Sequence, residues 1–166
     1  MLAPAYERLK AHLGITRETT IFWRGLQYVL MDEEALAWSG SDGRPLLPGP
    51  APAALAHDVS AGAYVDGWGS LWERRPDAIY YEVVDSPLRT ATIDDLDRYS
   101  WPELAHPSRF AGLRERAQAI RDAGYAVVAL SGVSPFEQAY LSRGVEQWLL
   151  DLAADPDFAL ALMRKI

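Results

Sequence analysis

The chain has 166 residues, of which 49% are hydrophobic and 23% charged, a balance ordinary for one globular domain and unlike that of a disordered chain. Its 16 Lys and Arg against 23 Asp and Glu leave a formal charge of -7 and a pI near 4.9, which disfavours a nucleic-acid partner. Without cysteine there are no disulfides, thiolate nucleophiles or cysteine-ligated zinc. His12, His57 and His106 are the only imidazoles, no apolar run approaches the ~20 residues that span a bilayer, and Met1-Leu2-Ala3-Pro4 lacks a secretion-signal pattern, so the expected compartment is the cytoplasm.

In chain order, Ala5 to Leu13 carries Leu9 and Leu13 at helical spacing with Gly14 where a C-terminal cap belongs, which predicts a short surface helix. Thr20 to Trp38 is rich in large apolar residues interrupted by Asp32-Glu33-Glu34, and reads as two helices meeting near Met31. Within it, Arg24 is a candidate site residue, with snorkelling beside Trp23 and Tyr28 as the plainer reading. Ser39 to Ala53, with Gly40, Gly43, Pro45, Pro48, Gly49, Pro50 and Pro52, forbids regular helix and predicts a loop or extended arm.

Ala63 to Glu73 and Ala78 to Val84 enrich β-formers around Gly67, Gly69 and Arg75-Pro76-Asp77, which predicts a β-hairpin. Trp68, Trp72, Tyr80 and Tyr81 fall there, as packing aromatics or as the wall of a flat macrocyclic ligand. Thr92 to Tyr99 opens on a threonine cap with Asp94 and Asp95 in the first turn, and predicts a short helix ended by Trp101-Pro102. Pro107 to Ala123 places Phe110, Leu113, Ala117 and Ile120 on one stripe with charges opposite, closed by Gly124. The arginines from Arg109 to Arg121 alternate with Glu115 and Asp122 and read as a solvated helix face.

Tyr125 to Leu130 is an unbroken apolar run and reads as a parallel-sheet strand covered on both faces. Ser131, Gly132, Ser134 and Pro135 follow it as a small-residue loop, at the carboxyl end of a strand where α/β folds bind ligands. Helical spacing then runs from Phe136 to Gly144, through Val145, Trp148, Leu149 and Leu152, and again after Asp155-Pro156. Phe158, Leu162 and Ile166 form one face of the last helix, and a further element is expected to cover it.

Gly132, Pro135, Phe136, Tyr140, Gly144, Asp155 and Pro156 together give Gly-x-x-Pro-aromatic, then Tyr-x-x-x-Gly, then a helix ending in Asp-Pro. That order resembles the uroporphyrinogen decarboxylase family, which includes corrinoid-linked methyltransferases. The upstream segments Asp66-Gly67-Trp68-Gly69, Ser86-Pro87-Leu88 and Tyr99-Ser100-Trp101-Pro102 resemble its methyltransferase-like branch, as does Asp42-Gly43-Arg44, although an Asx-turn explains Asp42 equally well. The resemblance covers roughly Arg44 to Ile166 and implies a (β/α)8 barrel, which needs roughly 250 residues or more. The chain is therefore expected to be α/β and to form part of a TIM barrel. Residues 1–60 would be helices and the Pro/Gly-rich arm, and residues 61–166 a β-hairpin and the first barrel βα units.

The resemblance further implies Tyr140 as the substrate-facing hydroxyl, with Arg44, Asp66, Trp68, Ser131, Gly132, Pro135 and Phe136 lining a site for a tetrapyrrole or a methyl carrier. Packing against Trp148 is the structural alternative for Tyr140. The decarboxylase's paired arginines four apart have no counterpart, since Arg24 is followed four residues on by Tyr28, and no aspartate matches the one that faces the pyrrole nitrogens. The methyltransferase branch carries zinc ligands near its C-terminus, in a region this chain does not reach. No cofactor is expected in this chain, with zinc and corrinoid entering only if the full-length protein belongs to that branch. The expected function is part of a tetrapyrrole decarboxylase or related methyltransferase, inactive alone and prone to self-association through exposed core. A non-catalytic module that binds a ligand or completes a partner barrel is the alternative.

Overall fold

A computed structural model of the chain describes residues 1–53, 55–130, 132 and 134–166. The elements run α1 (Ala3–Leu13), β1 (Thr20–Trp23), β2 (Tyr28–Leu30), α2 (Glu33–Trp38), β3 (Gly43–Leu46), β4 (His57–Ser60), β5 (Ala63–Val65), β6 (Leu71–Glu73), β7 (Glu82–Asp85), α3 (Ile93–Arg98), a 3-10 turn at Pro107–Phe110, α4 (Leu113–Asp122), β8 (Ala126–Ala129), α5 (Pro135–Arg143), α6 (Val145–Ala154) and α7 (Pro156–Lys165). The protein is mixed α/β. It divides into two compact units: Met1–Gly49, Asp77–Tyr81 and Phe110–Leu130 form the first, and Pro50–Pro76, Glu82–Arg109 and Ser131–Ile166 the second. No helix among the described residues is long and apolar enough to cross a membrane.

In the first unit, α1 ends as expected on Gly14 in the left-handed conformation, whose N–H returns to the Lys10 carbonyl. Tyr6 and Lys10 are its buried residues, and with Val29 and Ala35 Tyr6 makes a small core. The Tyr6 hydroxyl donates to Asp32 Oδ2 at 2.6 Å and accepts from the Asp32 N–H at 2.6 Å, and burial pushes its pKa up. Thr20 to Trp38 is not two helices. Thr20–Trp23 and Tyr28–Leu30 form an antiparallel hairpin whose reversal passes through Gln27 at φ 56°, and a single short helix follows. β-branched and aromatic side chains suit a pleated surface, which overrides the helical spacing of the apolar positions. The acidic cluster that looked like a break is instead the N-cap and first turn of α2, where the helix dipole favours negative charge.

The Pro/Gly-rich arm also contains a strand. β3 pairs in parallel with β8, Gly43 opposite Ala126 through to Leu46 opposite Ala129. Pro45 is tolerated because this sheet has two strands, so each has an unpaired edge that asks for no donor. A side chain at Gly43 would meet the Val128 Cγ2 at 2.8 Å, which explains a glycine there. The expected helix over 107–123 is broken at Gly112, at φ 71°, leaving the 3-10 turn and α4. Leu113, Ala117 and Ile120 are the half-buried residues of α4, and the helix packs against β3 and β8. The expectation that β8 is covered on both faces is corrected: Val127 is half-buried, while Ala126, Ala129 and Val128, the last 45% exposed, face solvent.

In the second unit the expected hairpin is part of a larger antiparallel sheet of order β4-β5-β6-β7. Tyr64 lies directly across from Trp72, and their rings stack 6.0 Å apart with 4° between the planes. Tyr80 and Tyr81, which belong to the first unit, precede β7 in the chain rather than lying in a strand. The helical part of this unit is centred on Leu88, Leu96, Ala139, Trp148, Phe158, Ala159 and Leu162. This corrects the expectation of an uncovered α7 face, because Phe158 is 2% and Leu162 0% exposed, with α3, α5 and α6 packed on that helix. α7 starts as the sequence indicated, with Pro156 at its first position and the Asp155 side chain accepting from the Phe158 N–H at 3.2 Å.

Candidate functional site

α5 begins at Pro135, and its first turn caps itself. The Glu137 N–H donates to Ser134 Oγ at 3.2 Å, and Glu137 Oε2 accepts from the Ser134 N–H at 2.8 Å. Pro135 occupies the first turn, where its missing N–H costs nothing. Gly132 is exposed at φ 96°, and Phe136 is also largely exposed. Phe136 and Tyr140, four apart, share one face of α5 with their ring centroids 6.3 Å apart. Phe136 also stands edge-on to Trp148 of α6 at 5.8 Å. Ser131 lies outside the described residues.

The Tyr140 hydroxyl has no hydrogen-bond partner among the described residues. Burial, and secondarily the nearby Glu137 charge, push its pKa up, so the phenol stays protonated at neutral pH and is available to donate. Tyr140 also packs against the helical core that contains Trp148, so the structural alternative for this residue holds alongside an open hydroxyl. Trp148 Nε1 is the one buried side-chain polar atom without a hydrogen-bond partner among the described residues.

The C-terminal end of α5 is fixed by other parts of the second unit. Ser70 and Ser86 hydroxyls both donate to the Leu141 carbonyl, at 3.2 and 3.0 Å, and the Leu88 N–H donates to the Ser142 carbonyl at 2.9 Å. These supply donors to carbonyls that a helix end leaves unpaired. Arg143 then closes the corner. Its Nε donates to Asp151 Oδ2 at 2.6 Å, its Nη1 to the carbonyls of Leu88 and Ala91, and its guanidinium stacks 3.9 Å from the Phe158 ring centroid. Sequence reading did not single out this pair. The available signal was a charge, Asp151, set between Leu149, Leu150 and Leu152 on an otherwise apolar helix.

Asp66 and Trp68 sit in the turn between β5 and β6. Asp66 Oδ1 accepts from the N–H groups of Trp68 at 2.8 Å and Ser70 at 3.0 Å, and Oδ2 accepts from Trp72 Nε1 at 2.7 Å. Burial pushes the Asp66 carboxyl up, against the lowering effect of these donors. The Tyr99 hydroxyl donates to the Trp68 carbonyl, and the Trp68 and Trp101 rings meet edge-to-face at 6.3 Å. Burial and the Asp66 charge push the Tyr99 phenol up to about 12. Gly69, at φ 82°, passes so close to Tyr99 that any Cβ would run into the hydroxyl. No hydrogen bond or ring contact joins Asp66 or Trp68 to Gly132, Pro135 or Phe136 among the described residues.

Arg44 belongs to the first unit and is buried. It grips Glu33 with Nε to Oε2 at 2.7 Å and Nη2 to Oε1 at 2.6 Å, donates through Nη1 to the Ser41 carbonyl at 2.7 Å, and lies 3.5 Å over the Tyr125 ring centroid. The hydrogen bonds to Glu33 raise its pKa. A substrate carboxylate would therefore have to displace Glu33. Among the described residues no group of three or more His, Asp and Glu side chains could hold a metal ion. His57 Nδ1 is paired with the Leu55 carbonyl and His106 Nδ1 with Ser108 Oγ.

No protein-family model, no curated protein and no solved structure matches the chain.

Proposed function

We propose that the chain is part of a uroporphyrinogen decarboxylase-like (β/α)8 barrel and contributes to its site for a tetrapyrrole or methyl carrier. One observation carries this reading: four of the segments that resemble the family meet in pairs within one unit. Asp66-Gly67-Trp68-Gly69 is locked to Tyr99-Ser100-Trp101-Pro102 through the Tyr99 hydroxyl and the Trp68–Trp101 contact. Ser86-Pro87-Leu88 is bonded to the end of the Tyr140–Gly144 segment through Leu141 and Ser142. Segments 31 and 55 residues apart have no local reason to share such contacts, and shared contacts are what a common fold would preserve.

The parallel pairing of β3 with β8 supports the barrel, since parallel strands belong to sheets covered on both faces. The exposed Val128 and Ala129 then mark where further strands and helices of such a barrel would pack. In this reading Tyr140 presents a protonated hydroxyl to a substrate oxygen, Phe136 offers an apolar wall, and Gly132 leaves the backbone approachable. If the parent protein is a decarboxylase, the family reaction protonates a pyrrole and releases carbon dioxide from an acetate side chain, with cationic groups holding the carboxylates. In this chain Arg44 is held by Glu33, so the chain contributes shape and a hydroxyl rather than a full catalytic set.

Titration with uroporphyrin and, separately, with a corrinoid tests the proposal, read as quenching of the tryptophans. Saturable binding of either supports it and assigns the branch. Absence of binding to both would favour the alternative, a non-catalytic module of the same fold.

A further inference from the structure

The apolar surface that needs a partner lies on α6. A helix with one wet face carries polar residues outward, whereas one that is apolar all round is normally buried. α6 turns Trp148 and Asp151 inward, yet Val145 is 57%, Leu149 54%, Leu150 53% and Leu152 44% exposed. Val145, Leu149 and Leu152 follow one another at i, i+4 and i+7, with Ala153 beside them. Among the described residues of α6 that face solvent, Glu146 alone carries a charge. The helical wheel thus holds a continuous apolar strip about 12 Å long, alongside the face that buries Trp148 and Asp151.

We infer that this strip is a twofold dimer contact with a second copy of the chain, α6 packing antiparallel on its counterpart about Leu149. The sequence is self-complementary in that arrangement. With Leu149 opposite Leu149, Val145 faces Ala153 and Glu146 faces Leu152, so the lone acid of each copy meets an apolar side chain and not its own like charge. An interface between identical patches is the form a twofold requires. A differently charged partner would find only Glu146 to read. Half-exposed, Val145, Leu149, Leu152 and Ala153 present on the order of 300–400 Å² per copy, the size of patch that marks a protein contact. Two copies give roughly 700 Å² of apolar burial, and if that is about 60% of the contact the total is about 1,150 Å², at the lower edge of specific interfaces. The dimer is accordingly weak, with a dissociation constant in the range of about 10–100 µM.

The contact is independent of any ligand and is tested on the full chain by sedimentation equilibrium up to about 200 µM. The expected mass rises from 18.4 kDa toward twice that value. Leu149→Glu is expected to stay at 18.4 kDa throughout with an unchanged circular dichroism spectrum and melt, since Leu149 is a surface residue. Because the chain has no cysteine, Leu149→Cys reports this contact alone and is expected to oxidise to a linked dimer faster than Val128→Cys on the exposed strand β8, because a disulfide forms only where the two Cα atoms approach closely. A wild-type monomer at every concentration would overturn the inference, as it would if another protein or chain segment were the natural cover of α6. So would association that survives Leu149→Glu, or equal linking rates at the two cysteines, either of which would place the contact elsewhere.

Discussion

Replacing Arg143 with Ala should destabilise the second unit more than any surface change. The side chain is buried and makes two bonds to Asp151, Nε at 2.6 Å and Nη2 at 3.3 Å, besides those to the Leu88 and Ala91 carbonyls. Asp151 is itself buried, and without Arg143 only Gln147, at 2.7 Å, would remain among the described residues to offset its charge. Removing one partner of a buried pair costs about 3–5 kcal/mol, because the other charge is stranded. At about 2–4 °C per kcal/mol for a chain of this size, the melt should fall by roughly 10 °C. The double variant Arg143→Met, Asp151→Leu removes both charges and should recover about 2 kcal/mol of that loss, the remainder reflecting the orphaned carbonyls at about 1 kcal/mol each. Thermal and urea denaturation followed by circular dichroism measure both. A cost below about 1 kcal/mol for Arg143→Ala, or a double variant no better than the single one, would refute the view that this pair clamps α5 to α6.

Asp66→Asn keeps an oxygen for the Trp68 and Ser70 N–H groups but turns an amide toward Trp72 Nε1, so a buried donor loses its acceptor; urea denaturation should register about 1–3 kcal/mol. Asp95 is held down to about 2, chiefly by the Thr92 N–H, with the Thr92 hydroxyl and Arg98 adding to it. Its folded value lies below the unfolded one of about 3.9, so its stabilising effect is present above that value and lost as pH falls toward 2. The stability gap between wild type and Asp95→Asn should therefore close between about pH 5 and pH 2, and a gap constant across that range would contradict the assignment. No decarboxylation of uroporphyrinogen by the 166-residue chain is expected, and turnover that Tyr140→Phe abolishes would overturn that expectation.

Capping chemistry was legible from the sequence because it is local. Gly14, Thr92, Gly124 and Asp155-Pro156 mark element ends by backbone rules that tertiary packing does not alter. The hairpin at Thr20–Leu30 was not legible, since its apolar spacing fits a helix and its reversal rests on Gln27 rather than on a glycine-rich turn. β3 was hidden because Pro45 argues against a strand unless the position is an edge, and edges are set by which strand lies alongside. Exposure misled in both directions. The apolar face of α7 is covered by neighbours far along the chain, while Val128 and the outer face of α6 are not. For the site, Tyr140 and Phe136 could be placed on one helix face from their spacing, but the commitment of Arg44 to Glu33 joins a strand to a helix 11 residues away, a tertiary contact that no local signal gives.

The proposed site is tested most directly by the affinity of wild type and Tyr140→Phe for uroporphyrin or a corrinoid, whichever the wild type binds, with a melt of each protein as control. Tyr140→Phe deletes one hydroxyl that makes no bond within the described residues, so stability should change by less than about 0.5 kcal/mol. Loss of a hydrogen bond to ligand should weaken binding by about 5- to 10-fold. Equal affinities with equal melts would contradict a substrate-facing role for Tyr140. A lower melt with unchanged affinity would make it a packing residue of the Trp148 core and remove the site from this part of the chain.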